Sequence, residues 1–134
     1  MTLLTIVLAT AFASSVDPFS GGDRKLTLGL SAADNRRAIQ RVVDEVSAAG
    51  GGRVEIPVGT WTTGSIQLKD GVELHLPQGA TLKGSVDRRD YNANDAFPEN
   101  RWSEDEEWSG GHLVWARCAR DISITGPGVI DGNG

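Results

Sequence analysis

At 134 residues, with 39% hydrophobic and 23% charged side chains, the chain can build one compact domain and is too apolar to be disordered throughout. Its formal net charge of -5 argues against a nucleic-acid partner, and any pull on an acidic polymer must come from a local Arg or Lys cluster. No stretch reaches the roughly 18 apolar residues that span a bilayer, so no membrane partner is expected. The 17 glycines, well above the usual level, imply many turns. The single cysteine, Cys118, cannot form an internal disulfide and is expected to be a small buried hydrophobe.

Residues 1–30 form a separate segment. Met1 to Ala13 holds an apolar run, and Ala11-Phe12-Ala13 has the small-x-small form of a signal cleavage site. No Lys or Arg precedes the run, and its Thr, Ile and Val suit a buried first strand equally well. The first reading implies a secreted or periplasmic protein, the second a cytoplasmic one. Val16 to Gly29 is rich in Gly, Asp and Ser and reads as a loop or short irregular strands.

A helix is predicted from about Ala33 to Ala49, capped by Ser31 or Asp34. Ile39, Val42, Val43 and Val46 recur at helical spacing and make one apolar stripe. Arg36, Arg37, Gln40, Arg41, Asp44 and Glu45 make the solvated face. Gly50-Gly51-Gly52 stops the helix, because glycine takes the left-handed conformation there without steric cost.

Beyond Gly52 the period changes to two. Val54 and Ile56, Ile66 and Leu68, Val72, Leu74 and Leu76, then Ile122 and Ile124, then Val129-Ile130 mark short strands. They repeat. Val54-Glu55-Ile56-Pro57-Val58-Gly59 matches Leu74-His75-Leu76-Pro77-Gln78-Gly79 about 20 residues on. Asp70-Gly71-Val72-Glu73-Leu74 matches Arg120-Asp121-Ile122-Ser123-Ile124 after about 50, a similar coil plus an insertion of roughly 30. Strands this short stack most easily on their equivalents one repeat later, in parallel, with Val, Ile and Leu turned inward. The predicted fold is therefore all-β, a right-handed parallel β-helix over residues 31–134 with a loop insertion at 86–112. The helix directly precedes the first coil and suits a plug for the exposed end of a solenoid. No comparable cap follows Ile130-Asp131-Gly132-Asn133-Gly134, so the stack is expected to be incomplete at that end.

These residues together resemble glycoside hydrolase family 28, the polygalacturonases and rhamnogalacturonases, which have a pectin-lyase-like fold. The resemblance rests on Gly50-Gly51-Gly52-Arg53-Val54, Pro57-Val58-Gly59-Thr60-Trp61 and Gly64-Ser65-Ile66-Gln67-Leu68-Lys69. It continues through Val72-Glu73-Leu74-His75-Leu76, Gly79-Ala80-Thr81-Leu82-Lys83-Gly84-Ser85 and the ending Ile122 to Gly134. Asp34-Asn35-Arg36-Arg37-Ala38-Ile39-Gln40 is similar to the family's capping helix. Phe19-Ser20-Gly21-Gly22-Asp23 departs from the family's pattern ahead of that helix. The resemblance implies an inverting hydrolase of pectic polysaccharide with Asp acid and base, a full-length monomer, and catalytic motifs of the form Asn-Thr-Asp, Asp-Asp, Gly-His-Gly and Arg-Ile-Lys. None of these occurs here, and Gly111-His112-Leu113 is not Gly-His-Gly. No catalytic residue is therefore assigned, and the motifs are expected beyond Gly134. The alternatives are a pectate-lyase-like or tailspike-like sugar-binding β-helix, or a non-catalytic solenoid.

The insertion carries the remaining chemistry. Aromatic rings pack on sugar C–H faces and Arg can fork onto a uronate carboxylate, which makes Tyr91, Arg101 and Trp102 the candidate contacts for a pectic polysaccharide or oligogalacturonide. The competing reading has Tyr91 and Trp102 holding the loop on the stack. The acidic run Glu104-Asp105-Glu106-Glu107 reads as a solvated loop face, and His75 as part of a solvated strand face. There is no metal-ligand spacing, P-loop or dinucleotide fingerprint, so no metal and no cofactor is predicted.

Overall fold

The computed structural model describes residues 26–92 and 111–134. The apolar run read as a leader or first strand, Met1 to Ala13, lies outside them.

Helix α1 spans Ala32–Ala48. Ser31 caps it, its hydroxyl accepting from the Asp34 amide at 3.3 Å. At the other end Gly50 turns left-handed at φ +102°. The amides of Gly50 and Gly51 then bond back to the carbonyls of Ser47 and Val46. Ile39, Val42, Val43 and Val46 are all buried, each contributing about 1.5–3 kcal/mol of apolar burial.

The strands are β1 (Gly52–Glu55), β2 (Gly59–Thr63), β3 (Ile66–Leu68), β4 (Val72–His75), β5 (Ala80–Gly84), β6 (Val114–Ala116), β7 (Ser123–Thr125) and β8 (Val129–Asp131). Among the described residues they form three sheets, ordered β1-β4-β7, β2-β5-β8 and β3-β6, and every pairing is parallel. Each strand pairs with its counterpart one coil later, never with its chain neighbour, which is the arrangement of a parallel β-helix. The sequence repeat sets the register. Val54 lies beside Leu74 and Leu74 beside Ile124, while Trp61, Leu82 and Ile130 form a second column.

Alternation along each strand sends Val54, Ile66, Leu68, Val72, Leu74, Ala80 and Leu82 inward, where they join the buried face of α1 in one core. In the third coil Ile124 and Ile130 hold the same columns but stay 51% and 39% exposed. α1 packs along one side of the first coil, against β1, β2 and β3.

Three findings depart from the sequence reading. β2, β5 and β6 are strands that the apolar pattern does not announce: Gly-Thr-Trp-Thr-Thr and Ala-Thr-Leu-Lys-Gly carry one large apolar residue each. Cys118 is exposed, because it occupies a turn between β6 and β7 at φ +52°, away from the core columns. The polar face of α1 is also not uniformly solvated. Gln40 donates from Nε2 to the Gln67 carbonyl at 3.0 Å and accepts the Gln67 amide on Oε1 at 2.8 Å. Arg36 Nε donates to the Ser65 carbonyl at 3.2 Å. Asn35, only 1% exposed, donates to the carbonyls of Thr62 and Gly29 and accepts the Gly29 amide. Among the described residues no earlier coil pairs with the first-coil strands, and these side chains satisfy part of their backbone.

Candidate functional site

The insertion leaves the stack after β5 and returns just before β6. Its departing end makes a short 3-10 turn, Arg88–Asp90, capped by Asp87, whose carboxylate accepts the Arg89 amide at 3.0 Å. Ser65, 3% exposed in the corner between β2 and β3, binds both ends. Its hydroxyl lies 2.8 Å from Asn92 Oδ1 and 2.7 Å from the His112 carbonyl, two acceptors that share one proton, and it accepts the Asn92 amide at 3.1 Å. The Ser65 amide donates to the Asp90 carbonyl and the Ile66 amide to the Leu113 carbonyl. Gly64 makes room for this: a Cβ there would lie 1.7 Å from the Asp90 carbonyl oxygen.

Of the three predicted sugar contacts, only Tyr91 falls within the described residues; Arg101 and Trp102 lie outside them, as does the acidic run Glu104 to Glu107. Tyr91 is half-buried. Its hydroxyl donates to the Ser85 carbonyl at 2.8 Å and its own carbonyl accepts from Arg36 Nη1 at 3.5 Å. Burial, aided by the charge of Asp90, raises the phenol pKa. The ring therefore helps fasten the departing end of the insertion, and its hydroxyl already has a protein partner.

The ionisable groups set chemical limits. An inverting glycosidase needs a carboxylic acid whose pKa is raised. The carboxylates with a resolved shift here, Asp34, Glu73 and Asp87, are all lowered. Asp87 is held down to about 2 by the Arg89 guanidinium, which reaches both carboxylate oxygens at 2.6–3.1 Å. Glu73 is lowered by a two-pronged bond from Arg53, at 3.0 and 3.1 Å, and by the Thr125 hydroxyl. Among the described residues no group of three or more His, Cys, Asp or Glu could hold a metal ion, and no helix is long and apolar enough to cross a membrane.

Sequence reasoning missed the Ser65 clamp, whose partners lie 27 and 47 positions away. It also missed that His75 is tied into its sheet face, with Nδ1 2.8 Å from Thr125 Oγ1. The 50-residue repeat aligns those two positions and is the signal that could have revealed the pair.

No protein-family model matches the chain. The chain is 35% identical to the exo-poly-α-D-galacturonosidase of Dickeya chrysanthemi over 108 residues, which is 75% of this chain and 17% of that protein. The solved structure of the family 28 exopolygalacturonase of Yersinia enterocolitica superposes with a TM-score of 0.58 at 36% identity, covering 84% of this chain and 19% of that one. The hyperthermoactive exopolygalacturonase of Thermotoga maritima gives a TM-score of 0.57 at 27% identity, covering 75% and 21%. The chain thus spans about a fifth of the length of these relatives. The parallel coils, their register and these likenesses together make the matched stretch similar to one part of the polygalacturonases, a family 28 exopolygalacturonase among them.

Proposed function

We propose that these residues form the opening coils of a hydrolase that cleaves pectic polysaccharide or oligogalacturonide with inversion, using Asp residues supplied by later coils. The likeness to exopolygalacturonases carries this reading. The downward carboxylate shifts support the view that the acid and base lie elsewhere. Side chains on successive coils stand about 4.8 Å apart, so carboxylates one or two coils apart can bracket the 6.5–9.5 Å that an inverting pair needs.

In this reading residues 31–134 are one structural unit and α1 is the plug of the stack. It covers the first-coil core with Ile39, Val42, Val43 and Val46 and satisfies first-coil backbone through Asn35, Arg36 and Gln40. Arg101 and Trp102 contact sugar from the insertion, with Tyr91 contributing a ring face while its hydroxyl stays on Ser85. The full-length enzyme is a monomer, secreted or periplasmic.

The test is reducing-sugar release from polygalacturonate. This chain alone should release none. A longer product carrying Asn-Thr-Asp, Asp-Asp and Gly-His-Gly should release sugar with inverted anomeric configuration. Release by this chain alone, or unsaturated products from the longer one, would overturn the proposal.

A further inference from the structure

The outward face of the β1-β4-β7 sheet carries a chain of polar contacts that spans three coils. Arg53 on β1 grips Glu73 on β4, Thr125 on β7 lies 2.6 Å from Glu73 Oε1, and His75 Nδ1 lies 2.8 Å from Thr125 Oγ1. His75 Nδ1 is 3.9 Å from Glu73 Oε1 itself, too far for a direct hydrogen bond.

The order of protons along this chain follows from counting. A threonine hydroxyl has one proton to give. Arg53 keeps Glu73 ionised, so its Oε1 can only accept. At 2.6 Å a bare oxygen facing that carboxylate would be repelled, so the Thr125 proton lies toward Glu73. Thr125 Oγ1 then has only lone pairs left for His75, and Nδ1 must be the donor. In a neutral imidazole one nitrogen donates and the other accepts, so the lone pair falls on Nε2. The third-coil turn lies close to the ring: a Cβ added to Gly126 would sit 3.1 Å from His75 Cε1. His75 nevertheless keeps one-fifth of its side chain exposed.

The charged groups in register around the ring are Glu55 on β1, beside His75, and the Arg53–Glu73 pair one position back along the outward face. Arg53 is spent on Glu73. The surface near His75 therefore presents acceptors: the exposed Glu55 and the Nε2 lone pair. Such a surface suits a ligand that brings hydroxyl donors, and it disfavours one that brings a carboxylate to this spot.

We propose that Arg53, Glu73 and Thr125 fix His75 as its Nδ1–H tautomer, and that Nε2 is a hydrogen-bond acceptor for a sugar hydroxyl on the outward face of this sheet. The ligand half of this inference rests on the carbohydrate reading above; the tautomer half does not.

Long-range 1H–15N correlation of the imidazole tests both halves on this chain, which has only two histidines to distinguish. With the ring neutral, His75 should show a pyrrole-like Nδ1 and a pyridine-like Nε2. Thr125→Val should remove the preference and give mixed tautomers, while His112 stays unchanged. A pyridine-like Nδ1 in the unsubstituted chain would overturn the assignment without recourse to any variant. Titration with trigalacturonate should then move the Nε2 resonance of His75, and His75→Gln should weaken binding several-fold. Backbone shifts elsewhere with Nε2 unmoved would overturn the acceptor role while leaving the carbohydrate reading intact. No shift anywhere would overturn both.

Discussion

Asn35 offers the sharpest test of how the first coil is completed. Its side chain is 1% exposed and makes three bonds to backbone: to the Gly29 carbonyl at 2.8 Å, from the Gly29 amide at 2.7 Å and to the Thr62 carbonyl at 2.8 Å. Gly29 is exposed and can regain water, so each of its two bonds is worth about 0.5–1.5 kcal/mol net. The Thr62 carbonyl, on the side of β2 covered by α1, would lose a buried partner at about 1–3 kcal/mol. Asn35→Ala should therefore cost about 2–6 kcal/mol, read as a lower urea midpoint at unchanged slope. Asn35→Asp removes both donors and turns a carboxylate toward two carbonyl oxygens. Burial and those carbonyls raise its folded pKa above the unfolded value. Protonation then favours the folded state, so the variant's deficit should be small below about pH 4 and grow as pH rises through the folded pKa, reaching about 3–5 kcal/mol at pH 7. If Asn35→Ala costs under about 0.5 kcal/mol, or the Asn35→Asp deficit does not change with pH, the amide is not completing the coil and the reasoning fails.

Other outcomes follow from single contacts. Leu74→Ala, fully buried between Val54 and Ile124, should cost about 2–5 kcal/mol, and Ile124→Ala in the same column at 51% exposure well under half of that; chemical denaturation compares them directly. Gly64→Ala drives a methyl into the Asp90 carbonyl, so it should cost about 1–3 kcal/mol and speed hydrogen exchange at the Ser65 amide, whereas Gly29→Ala meets no neighbour within 4 Å and serves as the control. Carboxyl NMR titration should find Asp87 near 2 and, in Arg89→Ala, back toward the ordinary carboxylate range. Its folded pKa is depressed, so the pairing favours the fold above the ordinary value and that contribution disappears as pH falls toward 2.

The sequence disclosed the columns before the contacts. Val54, Leu74 and Ile124 could be aligned from repeat spacing alone, because a solenoid writes each inward position once per coil. The helix was equally legible, since one apolar stripe, a serine cap and three glycines fix its face and both ends. Strands β2 and β5 were obscure because sheet position, rather than apolar alternation, holds Thr60, Thr62 and Thr81 extended; β6 was obscure because Val114-Trp115-Ala116 is too short to show alternation. The polar site features were harder still. Gln40 and Arg36 look like ordinary solvated helix residues until the facing backbone of β3 and Ser65 is known. Cys118 looked buried by residue type, yet its turn conformation puts it outside.

The fastening of the insertion has a consequence for how this protein can vary. Both of its ends are anchored on two adjacent residues, Ser65 and Ile66, so the coil is already closed where the excursion begins and ends. Lengthening the excursion adds only the slow logarithmic cost of a longer closed loop and leaves the rung spacing beneath untouched. The corner between the second and third sheets is thus a graft point, where new recognition surface can be tried without renegotiating the scaffold.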